Sequence, residues 1–246
     1  MAGFAATALG ALPALGLSKI SKKTEALCLG FAAGMMLAAS VFSLIIPGID
    51  AGSKLTGSEL GGVGIVVFGI FLGILMMLLL DRWVPHEHFE RGRFGVSPER
   101  YRRIWLFALA VAIHNFPEGM AIGMGFLTGD TSVGTPVTIA ISLQDIPEGL
   151  ALALALVPIV RSKWVAVAWS IASGLMEPLG ALLVAALFGG LHAVFPVGLG
   201  LSAGAMIFVV IHEVLPEFHS EGNETPATIS AMFGFCLMMV LDVALA

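Results

Sequence analysis

Long apolar runs, each close to the length of a bilayer-spanning helix, are the feature of this sequence that most limits its fold. A membrane-spanning helix needs about 20 apolar residues, and the bilayer offers no partner for an unpaired backbone group. The sequence therefore predicts an all-α polytopic membrane protein. A soluble domain has about twice the 12% of charged residues found here, so a water-soluble fold is excluded.

Loop-like segments divide the 246 residues into eight predicted spans and leave no room for a sizeable soluble domain. We treat the whole chain, 1–246, as a single transmembrane domain with a cytoplasmic loop at 84–102. The predicted spans are 1–17, 25–47, 61–83, 103–128, 136–159, 164–188, 192–216 and 227–245. Eight helices would place both termini on the same side of the membrane.

The distribution of basic residues predicts which side that is. Eleven of the twelve Lys and Arg residues fall in the odd-numbered loops, and only Lys54 lies in an even-numbered one. Cytoplasmic loops carry an excess of Lys and Arg. We therefore expect the odd-numbered loops in the cytoplasm and both termini outside, in a multi-pass protein of the cell (inner) membrane.

A short repeat carries the polar residues of the fourth and fifth predicted spans. Residues 113–120 read I-H-N-F-P-E-G-M, and residues 143–150 read L-Q-D-I-P-E-G-L. Because residues three and four apart share a helix face, His114 and Asn115 should lie beside Glu118, and Gln144 and Asp145 beside Glu148. Each repeat thus presents a cluster of oxygen and nitrogen donors.

Carboxylates at membrane depth are costly unless they face a polar cavity and are paired or metal-bound. The fourth to eighth predicted spans contain no Lys or Arg away from their ends, so a divalent cation is the best countercharge. Imidazole and carboxylate ligands suit first-row divalent metals. Glu177, next to a proline in the sixth span, adds another carboxylate.

Several of these residues also have ordinary interpretations. The glutamates could be protonated hydrogen-bonding groups, Asn115 and Gln144 could hold helices together, and Met36 could be a core residue. Histidines and acids near the predicted span ends could simply be solvated. These are Asp50, His86, His88, His212, Glu213 and Asp242.

At the repeated P-E-G motifs, the sequence resembles the bacterial branch of the ZIP family of divalent metal transporters. The motifs H-N-F-P-E-G, P-E-G, E-P-L-G and H-E-V-L-P-E occur in the family's order. The resemblance implies a binuclear metal site halfway across the membrane, with the metal as transported substrate and no organic cofactor. Its implied ligands are Met36, His114, Asn115, Glu118, Gln144, Asp145, Glu148 and Glu177.

The resemblance also implies an order within the site. Glu118, Asp145 and Glu148 would bridge the two metals, and Asn115 and Glu177 would complete the second position. Gln144 stands where many members have His, so tolerance towards Cd2+, Fe2+ or Mn2+ beside Zn2+ is expected. The metal would enter past Asp50 and Asp242 and leave past His212, Glu213, His86 and His88.

The resemblance also implies an elevator-like motion, in which spans 1, 4, 5 and 6 would carry the metal past spans 2, 3, 7 and 8. It implies a homodimer as a further expectation. Glycines such as Gly119, Gly123, Gly149, Gly174 and Gly180 would line the sliding face, with tight packing as the ordinary alternative. The expected partners are divalent metal ions and the lipid bilayer, with no nucleic acid. The rival hypothesis is an intramembrane metal-dependent hydrolase with Glu118 or Glu148 as general base; we expect a transporter and not an enzyme.

Overall fold

The fold is all-helical throughout the part of the chain that the computed structural model describes. That part comprises residues 1–17, 21–83, 98–127, 129, 131–188, 194–215 and 223–245. The helices are α1 (Ala2–Ala11), α2 (Lys22–Ala39), α3 (Ile46–Thr56), α4 (Glu59–Trp83), α5 (Pro98–Phe126), α6 (Thr131–Leu156), α7 (Lys163–Ser173), α8 (Met176–Phe188), α9 (Phe195–Val209) and α10 (Glu224–Leu245). A 3-10 turn (Leu12–Leu15) continues α1, and π-helical segments follow α2 (Ser40–Ile45) and α9 (Val210–Val214).

Six helical stretches of the described residues are long and apolar enough to cross a bilayer. They are Ala26–Thr56, Glu59–Leu79, Thr131–Leu156, Lys163–Leu187, Phe195–His212 and Glu224–Ala244. A shorter apolar stretch covers Ala2–Leu15. Large apolar side chains on α4, among them Phe68 and Phe71, are exposed on the outside of the bundle, where lipid would cover them. The protein is therefore a polytopic helical membrane protein.

The sequence predicts a loop between the second and third spans, at residues 48–60, and this prediction is wrong for most of that range. The sequence divides there at Gly48, but α2, its π-helical segment and α3 continue the helix to Thr56. Gly48 is buried against Val66 and Leu199, so it serves helix packing and does not end the helix. The end comes at Gly57, whose φ of 73° is the left-handed conformation typical of a helix C-terminus.

The sixth predicted span is also more irregular than a single helix. A short turn at Gly174 and Leu175 separates α7 from α8 within it. Pro178 lies in the first turn of α8, where its missing N–H is tolerated. The break places Glu177 near the N-terminal end of α8, inside the bundle.

The helices pack as two groups. The site group consists of α1, α5, α6, α7 and α8, in which α1 packs mainly on α6 and α5 mainly on α8. The flanking group consists of α2, α3, α4, α9 and α10, in which α2 packs mainly on α10 and α4 mainly on α9. The groups meet chiefly where α6 contacts α2 and where α5 contacts α9.

Glycines allow backbone-to-backbone contact inside each group. A Cβ at Gly180 of α8 would overlap the carbonyl oxygen of Phe116 in α5, and one at Gly34 of α2 would overlap that of Ala231 in α10. The five glycines expected on a sliding face, Gly119, Gly123, Gly149, Gly174 and Gly180, all face neighbours within the site group. That expectation is wrong, because these residues bring α1, α5, α6 and α8 together.

We predict that Gly34→Ala destabilises the protein, since the new methyl group meets backbone and the two helices must separate. The expected loss in unfolding free energy is about 1–3 kcal/mol. Gly64→Ala on α4 is the matched control, because no atom lies within 4 Å of the added Cβ and Ala favours a helix over Gly. Thermal unfolding of both variants in detergent would test this, and equal stability would contradict the packing.

Candidate metal centre

Three buried carboxylates from α5 and α6 form the centre of the site. Glu118, Asp145 and Glu148 each offer an oxygen, and these three oxygens lie within 4.8 Å of one another. Glu118 follows Pro117 in α5, while Asp145 and Glu148 lie one helical turn apart on α6 with Pro147 between them. The two copies of the P-E-G motif therefore meet face to face in the bundle.

Gln144 joins the two helices at the centre. Its side-chain amide donates a hydrogen bond to Glu118 Oε1, while its own Oε1 is buried without a hydrogen-bond partner. Glu118 Oε2 also lacks a partner. Gln144 thus holds one glutamate oxygen in place and leaves acceptor oxygens directed into the interior.

The other predicted amide ligand is equally buried. Asn115 lies on α5, one turn before Glu118, with no exposed surface and no hydrogen-bond partner for either side-chain polar atom. Both Asp145 oxygens and Glu177 Oε2 are unpartnered as well. Buried polar atoms normally have hydrogen-bond partners, so this concentration of free acceptors suits a site that accepts a ligand.

Glu177 approaches the centre from α8, and residues of α1 contact its carboxylate. The single hydroxyl hydrogen of Thr7 has two acceptors within reach, the Gly3 carbonyl oxygen at 3.3 Å and Glu177 Oε1 at 3.5 Å. The backbone amide of Phe4 faces the same carboxylate. A Cβ on Gly3 would overlap Glu177 Oε2 and would lie 2.7 Å from Asp145 Oδ2, so these two oxygens are close neighbours.

In the described part of the chain, the amino group of Met1 is a positive charge that acts on Glu177, but no Lys or Arg pairs with three of the four carboxylates, those of Glu118, Asp145 and Glu177. A cluster of buried carboxylates without such partners is strongly unfavourable unless protons or a cation neutralise it. Carboxylate and amide oxygens are ligands for divalent cations, so the arrangement fits a metal ion chemically.

The remaining predicted ligands lie as follows. Met36 is fully buried in the apolar core of α2, where its carbonyl oxygen accepts from Ser40 Oγ at 2.8 Å. His114 also lies on α5 about one turn before Glu118, but its side chain is outside the described residues. The contribution of these two residues to the centre stays a prediction.

The predicted route residues are spread around the bundle. Asp50 is exposed on α3 and forms an ion pair with Lys54 at 2.6 Å. Asp242 is half-buried on α10 and accepts from Ser43 Oγ at 2.5 Å. His212 is exposed and stacks on Phe208, with ring centroids 4.9 Å apart. His86, His88 and the side chain of Glu213 lie outside the described residues.

Sequence reasoning missed the contribution of α1 to the site. Gly3, Phe4 and Thr7 contact or face the Glu177 carboxylate, but α1 is an apolar helix without charged residues. A glycine and a threonine four residues apart in an apolar helix are common packing residues. No sequence signal distinguished them from packing positions.

Comparison with known proteins agrees with the geometry. A family model described as "ZIP Zinc transporter" matches residues 95–242, which include all four carboxylates. The chain belongs to the ZIP family. It is 56% identical to the zinc transporter ZIPB of Bordetella bronchiseptica over 244 residues, which cover 99% of this chain and 79% of that protein.

Two further relatives cover similar lengths. The chain is 37% identical to the zinc transporter GufA of Myxococcus xanthus, over 98% of this chain and 94% of that protein. It is also 37% identical to the zinc transporter ZupT of Corynebacterium glutamicum, over 96% of this chain and 93% of that protein. This ZIP protein is thus a transporter and not an enzyme, and the hydrolase hypothesis is not supported.

We predict that Asp145→Asn weakens Cd2+ or Zn2+ binding by about 100-fold, equivalent to about 2.8 kcal/mol. The substitution keeps the side chain's size and removes one charge from the centre. Glu59→Gln, at an exposed position at the start of α4, is the matched control. Calorimetric titration of the purified proteins measures the difference, and equal affinities for the two variants would show that metal binds elsewhere.

Proposed function

We propose that this ZIP protein moves Zn2+ or a similar divalent cation into the cytoplasm through the buried carboxylate centre. The observation that carries this proposal is the group of Glu118, Asp145 and Glu148 oxygens within 4.8 Å of one another. The zinc transport named for its relatives supports the same substrate. Metal is therefore the cargo of this site, and no organic cofactor takes part.

The centre holds two metal ions in this proposal. Glu118, Asp145 and Glu148 bridge them, since each carboxylate has two oxygens and Asp145 has both unpartnered. His114, Gln144 and Met36 line one or both positions. Asn115 and Glu177 complete the second, which the closeness of Glu177 Oε2 and Asp145 Oδ2 supports.

Gln144 sets the metal preference of the first position. An amide oxygen is a harder ligand than an imidazole nitrogen, so this position is less selective for zinc than one with an additional histidine. We expect measurable transport of Cd2+, Fe2+ or Mn2+ beside Zn2+. In Gln144→His, transport shifts towards Zn2+.

The direction of transport follows from the proposed topology. In this proposal, the protein has eight spans in the inner membrane, with both termini outside. The basic odd-numbered loops then lie in the cytoplasm. A membrane potential of about 100 mV, negative inside, then favours the entry of two positive charges by about 4.6 kcal/mol. Net uptake therefore needs no nucleotide.

An elevator-like motion of the site group past the flanking group would carry the metal. Helices within each group approach through backbone contacts at glycines such as Gly180 and Gly34. Across the boundary, the nearest neighbour of Gly198 in α9 is the flexible side chain of Met124 in α5. A flexible side chain at this point of the boundary supports movement of one group relative to the other.

Flux into proteoliposomes tests the proposal. With a potential imposed, wild-type protein should take up Zn2+ and Cd2+ saturably, and Glu148→Ala should reduce uptake at least about 100-fold because a bridging ligand is lost. Glu59→Gln should keep wild-type flux. Folded wild-type protein that binds metal but carries none would overturn the transport function.

The proposed route runs from Asp50 and Asp242 outside to His212, Glu213 and the His86/His88 segment inside. His212 is exposed in the π-helical segment after α9, where an imidazole can receive an ion leaving the centre. We predict that His212→Gln lowers maximal Zn2+ flux by about threefold to tenfold, with metal affinity at the centre unchanged. Flux equal to wild type in the same liposome assay would remove His212 from the route.

A further inference from the structure

We propose that Gly3 of α1 is a positioning residue of the metal centre. The missing side chain leaves the space in which the Glu177 carboxylate approaches that of Asp145, and this space forms the second divalent-cation position. The inference rests on the proposed binuclear site. It adds a residue from the first helix, which contributes no ligand side chain.

The neighbours of Gly3 distinguish it from the packing glycines. The three atoms nearest to a Cβ built at Gly3 are Glu177 Oε2, Asp145 Oδ2 and Glu177 Cδ. At Gly10, further along the same helix, the nearest atoms are backbone atoms of Ile146. Among the glycines of the described residues, Gly3 is the one whose nearest atoms are carboxylate oxygens of the centre.

The same turn of α1 also orients Glu177. Thr7 donates to Oε1 at 3.5 Å, and the Phe4 amide belongs to the first turn, where backbone N–H groups lack helical partners. The Thr7 hydroxyl lies at Oε1. Oε2 is left unpartnered beside Asp145 Oδ2, which is unpartnered too.

Two unpartnered carboxylate oxygens side by side in a buried site repel each other unless a proton or a cation lies between them. Glu177 and Asp145 are each 1% exposed, so bulk water does not screen them. The first turn of α1 therefore holds an arrangement that a divalent cation would stabilise. A methyl group at Gly3 would occupy the space needed by Glu177 Oε2.

The structure also predicts how the protein would respond to that methyl group. Because the nearest atoms belong to the ends of side chains, Glu177 can rotate away without separating α1 from α6. The second cation position would be lost while the fold remains intact. At Gly10 the added methyl group meets backbone, so the helices must move and stability must fall.

The experiment compares Gly3→Ala with Gly10→Ala and with Gly16→Ala, where the nearest atom to an added Cβ is 3.7 Å away. Cd2+ binding to purified protein is measured by equilibrium dialysis, with 113Cd NMR to count distinct sites and thermal unfolding to follow stability. We expect two ions and two resonances for wild type and Gly16→Ala. In Gly3→Ala, the Cd2+ affinity of one site should stay within about twofold of wild type. The affinity of the other should fall about 10- to 100-fold, as for other outer-sphere changes. The unfolding temperature should not change.

The outcomes separate the two proposals. If wild-type protein and Gly3→Ala both bind two ions with equal affinities, the role of Gly3 is overturned and the binuclear site stands. A Gly3→Ala protein that loses both sites and stability together, as expected for Gly10→Ala, would make Gly3 a packing residue and would also overturn it. Wild-type protein with one ion or none would contradict the binuclear site itself, and the inference would fall with it.

Discussion

Mutual repulsion among buried carboxylates is the constraint on which the rest of this structure depends. Glu118, Asp145 and Glu148 lie together in an apolar bundle, with Glu177 beside Asp145. Such a cluster stays in place only if the surrounding helices fix its geometry and an ion or protons neutralise it. The tight helix contacts and the hydrogen bonds from Gln144 and Thr7 help to fix the geometry. A divalent cation would neutralise the charge.

The site group supplies the fixed geometry. Four helices, α1, α5, α6 and α8, bring side chains or backbone groups to the centre, and they contact one another through glycines. In lipid, hydrophobic burial contributes little to helix association. Helices associate there through close packing, which small residues allow. The same contacts that stabilise these helices therefore also hold the carboxylates in place.

The repeated P-E-G motif made the centre predictable, because a polar cluster repeated in two apolar helices has few ordinary explanations. The role of α1 was not predictable, since Gly3 and Thr7 act through shape and a single weak contact. The loop predicted at Gly48 failed for a related reason. A glycine that ends a helix and one that admits a neighbouring helix look alike in sequence, and only the neighbours Val66 and Leu199 distinguish them.

The boundary between the two helix groups has a mechanical consequence. A Cβ at Gly198 would overlap the end of the Met124 side chain, so a flexible thioether rests in the hollow that this glycine leaves. An unbranched side chain with several rotatable bonds can leave such a hollow by a change of rotamer. In the proposed elevator-like motion, rotation of this side chain would set the resistance at this point, and the backbone contacts within each group would not need to break.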